Sequence, residues 1–102
     1  MTKTDAQYLD KLKKAITDVT GYPYEEIIAK SRKNEIVVMR FILCYLLKEN
    51  TIMSLQSIGE LIDGRDHSTI INAVRVVNDW KSVPSMYANN LRLLREVKDA
   101  AR

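Results

Sequence analysis

The sequence predicts an all-α protein, a small helical bundle built as one domain. Apolar residues recur mostly at helical spacing, and strict alternation of apolar and polar residues is rare. Only three glycines and two prolines interrupt the 102 residues. The hydrophobic fraction of 46% is enough for a core at this length, so we expect a single domain over residues 1–102.

The first third of the chain predicts two helices followed by a basic loop. A helix over residues 5–20 carries apolar side chains on one face and ends at Gly21. Pro23 then opens a short helix over residues 24–29. Three cations stand in the loop after this helix: Lys30, Arg32 and Lys33.

A central helix is predicted over residues 35–49, with Asn34 as its N-cap. The segment EIVVMRFILCYLLKE is apolar nearly all round, which is typical of a helix at the buried centre of a domain. Arg40 and Lys48 are its only cations, and Arg40 stands in the middle of an apolar stretch.

The next segment predicts a short helix, a tight turn and a longer helix, which is the order of a helix-turn-helix. Ser54 is expected to cap a helix over residues 55–62. Gly64 suits the turn because glycine tolerates positive φ. Asp66 is expected to cap the longer helix, over residues 67–82.

The last segment predicts an amphipathic helix over residues 86–100, after a break at Pro84. The net charge of the chain is +3, yet residues 51–80 contain two basic and four acidic side chains. A broad polybasic face is therefore absent, and any affinity for nucleic acid must come from a few placed side chains.

Composition excludes several classes of protein. A lone cysteine, Cys44, cannot form an intramolecular disulfide, and with one histidine it cannot supply the usual four ligands of structural zinc. No apolar run approaches the roughly 18 residues of a membrane span. The start, MTKTDAQYLDKLKK, lacks the apolar stretch of a signal peptide, so we expect a cytoplasmic protein.

A run of polar residues at the start of the longer motif helix suits contact with DNA. In chain order these residues are Gly64, Arg65, Asp66, His67, Ser68 and Thr69. Arginine can bond guanine or phosphate, aspartate can accept from cytosine or adenine, and hydroxyls can do either. Backbone N–H groups at a helix start also favour phosphate. A helix cap with solvated neighbours would need the same residue types, and the residues alone leave both interpretations open.

The segment SLQSIGELIDGRDHSTIINAVR, residues 54–75, strongly resembles the C-terminal DNA-binding domain (domain IV) of the bacterial replication initiator DnaA. The matching pattern consists of Ser54-Leu55, Ile58-Gly59, the string from Gly64 to Thr69, Ala73 and Arg75. The similarity extends back to the basic loop and covers roughly residues 10–100. It implies a Trp-repressor-like helix-turn-helix bundle that binds a DnaA-box-like, A/T-rich site in double-stranded DNA, in replication initiation or its regulation.

The resemblance also implies roles for single residues. Asp66, His67 and Ser68 would read bases in the major groove, and Thr69 would bond a phosphate. Arg32 would enter the neighbouring minor groove and read its A·T character.

Further DNA-contacting residues are implied elsewhere in the chain. Arg40 and Lys48 would meet the DNA backbone from the central helix. Arg65 would support the turn and approach the DNA. The others are Leu55 and Gln56 at the start of the shorter motif helix, and Asn72 one turn into the longer one.

The chain departs from the family pattern at five positions. Asp63 stands where a second glycine is usual and adds a negative charge beside the DNA. Asn72 replaces a common histidine, and Ser68 replaces a threonine whose methyl group could touch a thymine. Gln56 stands where proline is frequent, and Phe41 where a polar residue is frequent. We therefore expect the preferred DNA sequence and the affinity to differ from those of the family's consensus box.

Neither nucleotide binding nor an enzymatic function is predicted, and no cofactor or metal is expected. The glycine spacing of residues 59–64 matches a P-loop, but arginine and aspartate follow it where lysine and serine or threonine are required. Asp66, His67 and Ser68 are the residue types of a hydrolytic triad. Consecutive helical residues point about 100° apart, however, and cannot converge.

The alternative to DNA binding is a helical protein-interaction module that has lost its affinity for DNA. The net charge of −2 over residues 51–80 favours this alternative, as does Asp63, whereas Arg32 and the string after Gly64 favour DNA. No heptad pattern indicates a dimer, so we expect a monomer. The start MTKTDAQ is typical of a natural N-terminus, which favours a freestanding relative, as in phage or mobile-element proteins.

Overall fold

The computed structural model describes residues 1–102 and confirms an all-α bundle. Its six helices are α1 (Lys3–Thr20), α2 (Tyr24–Ile28), α3 (Asn34–Asn50), α4 (Leu55–Leu61), α5 (His67–Ser82) and α6 (Ala88–Ala100). The helix α3 lies at the centre, where α5 packs along it and α1, α2, α4 and α6 complete its surroundings. The helices α4 and α5 pack against each other, and α1 packs against α6.

The apolar character of α3 explains its central position, as predicted. Nine of its side chains are buried, and Ile36, Ile42, Leu43 and Leu47 are completely inaccessible to solvent. Amphipathic neighbours supply the rest of the core, including Ile70 and the other inward residues of α5. Removing this apolar area from water stabilises the bundle by about 25 cal/mol per Å².

The predicted start of α1 is two residues late, because Thr2 caps the helix and it begins at Lys3. The Thr2 hydroxyl accepts a hydrogen bond from the N–H of Asp5 at 3.0 Å. The side chain of Asp5 is buried, and its carboxylate accepts from the N–H of Ile52 at 3.3 Å. The side chain of Asp5 therefore ties α1 to the segment between α3 and α4.

The expected N-cap of the central helix is wrong. Lys33 occupies the N-cap position without a side-chain hydrogen bond, and Asn34 is the first helical residue. The carbonyl of Lys33 already accepts from the N–H of Val37 at 3.0 Å, so the helix begins one residue earlier than predicted. Near the C-terminus of the chain, α6 begins at Ala88, two residues later than predicted. The carbonyl of Val83 accepts from the N–H groups of Met86 and Tyr87 and holds these residues in a turn before the helix.

None of the helices is long and apolar enough to cross a membrane.

Candidate nucleic-acid interface

The helices α4 and α5 form the predicted helix-turn-helix. Ser54 caps α4 as expected, since its hydroxyl accepts from the N–H of Ser57 at 3.1 Å. Ile58, Ile62 and Ile70 are completely buried and fix the two helices on the core. The start of α5 is therefore held in place by apolar packing that leaves its polar side chains free.

The turn between α4 and α5 depends on three residues with special backbone requirements. Asp63 and Gly64 both adopt left-handed backbone conformations, with φ of 59° and 67°. The carbonyl of Gly59 accepts from the N–H groups of Ile62 at 3.1 Å and of Arg65 at 2.9 Å. A Cβ on Gly59 would lie 2.1 Å from the carbonyl oxygen of Arg65, so only glycine permits this close approach.

Four polar side chains at the start of α5 point into solvent. The residues Asp66, His67, Ser68 and Thr69 are all exposed. Asp66 and His67 expose 67% and 64% of their side chains, and Oδ1 of Asp66 lies 2.8 Å from Nδ1 of His67. These two candidate base readers are therefore paired with each other in the free protein.

Asp66 occupies the N-cap position of α5 as predicted, but its side chain forms no capping hydrogen bond. The backbone N–H and hydroxyl of Ser68 nevertheless lower the pKa of the Asp66 carboxyl, and the neighbouring His67 lowers it further. Their dipoles act on the carboxylate even where hydrogen-bond geometry is not reached. The group is thus ionised at neutral pH and available as an acceptor.

Asn72 lies one turn further along α5 and is also exposed. Its Oδ1 accepts a hydrogen bond from Nη2 of Arg75 at 2.5 Å.

Arg65 reaches from the turn to the C-terminal end of α2. Its Nη2 donates to the carbonyl of Ile28 at 3.3 Å and to that of Ala29 at 3.2 Å. Its Nε is buried without a hydrogen-bond partner. Arg65 therefore contacts a segment that lies 36 residues away in the chain, in addition to its place in the turn.

Arg40 binds the same end of α2 from the central helix. Its Nε donates to the carbonyl of Ile27 at 3.0 Å, and its Nη2 donates to Ala29 at 2.5 Å and to Ser31 at 3.0 Å. Burial, and then the positive charge of Arg65, lower the pKa of the Arg40 guanidinium. Arg40 thus has a structural role within the protein that the sequence did not indicate.

The other predicted contact residues lie on the surface around the motif. Arg32 is exposed on the loop that follows α2, and Lys48 is exposed in the last turn of α3. Leu55 and Gln56 form the first turn of α4, with Leu55 partly buried and Gln56 exposed. Hydrogen bonds from Arg65 to the end of α2 bring the loop of Arg32 beside the start of α5.

Neither the cysteine nor a cluster of metal-ligating side chains lies at this surface. Cys44 is buried in α3, and burial raises the pKa of its thiol to about 12, which keeps the thiol protonated and packed. No group of three histidine, cysteine, aspartate or glutamate side chains comes together in a way that could hold a metal ion.

Comparison with known proteins assigns this arrangement to a family. The family model described as bacterial dnaA protein helix-turn-helix matches residues 9–77, which include α4, the basic loop and most of α5. The chain belongs to the bacterial DnaA helix-turn-helix family. The resemblance inferred from the string after Gly64 is thereby confirmed.

Curated DnaA relatives align over most of the chain. The chromosomal replication initiator protein DnaA of Thermus thermophilus is 36% identical over 92 residues, which is 90% of this chain and 21% of the relative. The same protein from Burkholderia multivorans is 34% identical over 88 residues, which is 86% of this chain and 17% of the relative. The chain therefore spans about one fifth of the length of these DnaA proteins. No solved structure matches it.

Asp63 stands in this turn at the position where the resemblance to the DnaA family implies a second glycine. The structure shows that this position has positive φ, a conformation that glycine adopts readily and aspartate adopts at a cost. The turn thus places an aspartate in a backbone conformation to which glycine is better suited.

Proposed function

We propose that this chain binds double-stranded DNA sequence-specifically through its helix-turn-helix, in replication initiation or its regulation. The observation that carries the proposal is the exposed polar start of α5, residues 66–69, set on a buried apolar frame. A recognition helix presents its N-terminal residues to base edges in the major groove. Membership of the DnaA helix-turn-helix family supports the same function.

We assign the reading of the major groove to Asp66, His67 and Ser68. An ionised Asp66 accepts from an amino group of cytosine or adenine, and a negative charge near phosphates is tolerated only where such a donor is present. The hydroxyl of Thr69 bonds a phosphate at the same helix start, where N–H groups of the first turn also point outward. Asn72, one turn along, contacts the same groove.

A second set of contacts extends the interface beyond α5. Arg32 inserts into the minor groove next to the bases read by α5, and Lys48 neutralises a backbone phosphate. Arg40 lies behind the loop of Arg32 and faces the same backbone. The first turn of α4, Leu55 and Gln56, lies against the DNA. The expected target is an asymmetric, A/T-rich box related to the DnaA box.

The whole chain acts in this proposal as one domain that binds as a monomer in the cytoplasm. One module of this size buries on the order of 600–1,000 Å² on DNA, so the affinity is modest. Selection of bound sites from a library of random duplexes tests the proposal directly, because it yields an asymmetric A/T-rich sequence if the proposal is right. A clean palindrome would contradict the monomeric mode.

A fluorescence anisotropy titration of the selected duplex at two salt concentrations completes the test. Real phosphate contacts make the logarithm of the affinity fall steeply with the logarithm of salt. A protein-interaction module that has lost DNA binding gives no enrichment in the selection and no binding at either salt concentration.

Replacing Arg32 by alanine should weaken binding most on sites with an A/T-rich flank. A narrow A·T minor groove concentrates negative potential, and an inserted guanidinium gains from it. Affinity is measured for wild type and Arg32→Ala on duplexes that share one core and differ only in the flank. The matched control is Lys48→Ala, which should weaken all duplexes equally and lower the salt slope by about one. Equal losses on both flanks for Arg32→Ala would make Arg32 a phosphate contact only.

Replacing Asp63 by asparagine should strengthen binding to all duplexes about two- to fivefold, as expected for removing one exposed charge near phosphate. Asparagine tolerates the left-handed backbone of this position, so the turn is kept. The matched control is Asp79→Asn, which removes the same charge from an exposed position on α5 about 18 Å along the helix axis from His67. Similar gains from both variants would show that Asp63 acts only through the net charge.

A further inference from the structure

Two arginines from different parts of the chain share the C-terminal end of α2. Arg40 binds the carbonyls of Ile27, Ala29 and Ser31, and Arg65 binds that of Ala29 as well. We call this arrangement the arginine clamp: the guanidinium groups of Arg40 and Arg65 with the carbonyls of residues 27–31 that they bind. The carbonyl of Ala29 accepts from both arginines and is therefore the centre of the clamp.

The clamp satisfies groups that the short helix α2 cannot satisfy itself. The last four carbonyls of a helix have no partner within the helix, and α2 has only five residues. A planar guanidinium with five N–H donors can bind several carbonyls at once, and its positive charge suits a helix C-terminus. Tyr24 and Ile27 pack α2 onto the core, and the clamp adds the hydrogen bonds that hold its C-terminal end and the residues up to Ser31.

The clamp ends one residue before the side chain that is proposed to enter the minor groove. Nη2 of Arg40 holds the carbonyl of Ser31, which belongs to the same peptide unit as the N–H of Arg32. The hydroxyl of Ser31 then accepts from the N–H of Lys33 at 3.2 Å. The backbone of Arg32 is thus fixed on both sides, although its side chain is free in solvent.

The other end of the clamp is part of the helix-turn-helix. The N–H of Arg65 binds the carbonyl of Gly59, and Asp66 follows directly as the N-cap of α5. A second contact runs parallel to the clamp, because the hydroxyl of Tyr24 donates to the carbonyl of Leu61 at 3.4 Å. The position of the loop is therefore set relative to the start of α5.

We propose that Arg40 and Arg65 are positioning residues that hold the Arg32 loop at a fixed distance from the start of α5. This inference rests on the proposed function. A loop fixed before binding does not have to be ordered on the DNA, so the contribution of Arg32 to affinity is retained. The distance also sets how many base pairs separate the A/T-rich flank from the bases that α5 reads.

The test uses Arg65→Met in the full chain, in wild-type and Arg32→Ala backgrounds, on the A/T-flanked and G/C-flanked duplexes. Arg65→Met should lose on the order of tenfold in affinity on the A/T flank, the factor for ordering about one loop residue on binding. On the G/C flank the loss from Arg65→Met should be less than about twofold. It should also be less than about twofold on either flank in the Arg32→Ala background, because Arg65 acts through Arg32 and the two effects are then not additive. Arg65→Lys keeps the positive charge but lacks the planar guanidinium, so it should lose the preference for the A/T flank as Arg65→Met does.

Direct contact between Arg65 and phosphate would give a different pattern and overturn the inference. Arg65→Met would then weaken both duplexes in both backgrounds and lower the salt slope by about one, and Arg65→Lys would recover most of the affinity. Should Arg65→Met not fold, Arg65→Lys alone carries the test: the clamp predicts a loss of affinity on the A/T flank only, and a phosphate contact predicts nearly wild-type affinity on both flanks.

Hydrogen exchange of the free protein separates this inference from the proposed function. Loss of the bond from Arg40 to the carbonyl of Ser31 should accelerate exchange of the Lys33 amide in Arg40→Met, while buried amides of α5 keep their wild-type rates. Unchanged exchange at Lys33 would refute the clamp whether or not the protein binds DNA. Accelerated exchange in a protein that binds no DNA would confirm the clamp and refute the proposed function alone.

Discussion

Replacing Gly59 by alanine should destabilise the domain by about 3 kcal/mol, the upper part of the range for overpacking a tightly packed site. The added Cβ would lie 2.1 Å from the backbone carbonyl oxygen of Arg65, which cannot move without breaking the turn. The N–H of Arg65 is itself bonded to the carbonyl of Gly59 at 2.9 Å. Urea denaturation followed by circular dichroism measures the free energy of unfolding.

The matched control for this prediction is Gly64→Ala. Gly64 has positive φ, but a Cβ there would meet nothing within 4 Å, so only the conformational penalty applies. That penalty is about 1–2 kcal/mol for a left-handed residue. A loss at Gly59 no larger than the loss at Gly64 would show that α4 and the turn can separate without strain.

Replacing His67 by alanine should cost about 1–3 kcal/mol of binding free energy on the preferred duplex and relax the base preference at one position. The stability of the free protein should hardly change, because the His67 side chain is 64% exposed and precedes the first buried residue of α5. Anisotropy titrations on the selected site and its single-base variants measure the affinity, and a thermal melt without DNA measures the stability.

A suitable control on the same helix is Asn78→Ala. Asn78 is exposed and lies about 16 Å along the axis from His67, so it should affect neither affinity nor base preference. If His67→Ala unfolds the domain, or weakens every duplex by the same factor, His67 is a structural residue or a phosphate contact and reads no base.

Local sequence patterns predicted most of the fold because the forces behind them are local. The apolar segment of residues 35–49 predicted that the central helix is buried. Ser54 predicted the start of α4, because an N-cap needs only a hydroxyl three residues before a free N–H. Asn34 satisfied the same preference but lies inside α3, because the carbonyl of Lys33 was available to start the helix. Preferences of single residues thus located these helix starts to within one or two residues.

The sequence could not predict which hydrogen bonds form between residues that are far apart in the chain. Arg40 was expected at the DNA backbone, and nothing in its surroundings indicated that the carbonyls it binds end a helix 9 to 13 residues earlier. The family pattern includes Gly59, but the reason for glycine there is a contact with a backbone oxygen across the turn. The buried carboxylate of Asp5 likewise has its partner 47 residues away. The roles in DNA binding stay predictions.

The pairing of Asn72 with Arg75 limits what α5 can recognise one turn beyond His67. An asparagine amide distinguishes adenine by using its oxygen and its nitrogen together, one accepting from the N6 amine and the other donating to N7. Here the oxygen already accepts from the guanidinium of Arg75. An amide oxygen has two lone pairs, so Asn72 keeps one acceptor direction and two N–H donors for a groove. To read adenine while the Arg75 bond persists, Asn72 must share its oxygen between the Arg75 guanidinium and the N6 amine.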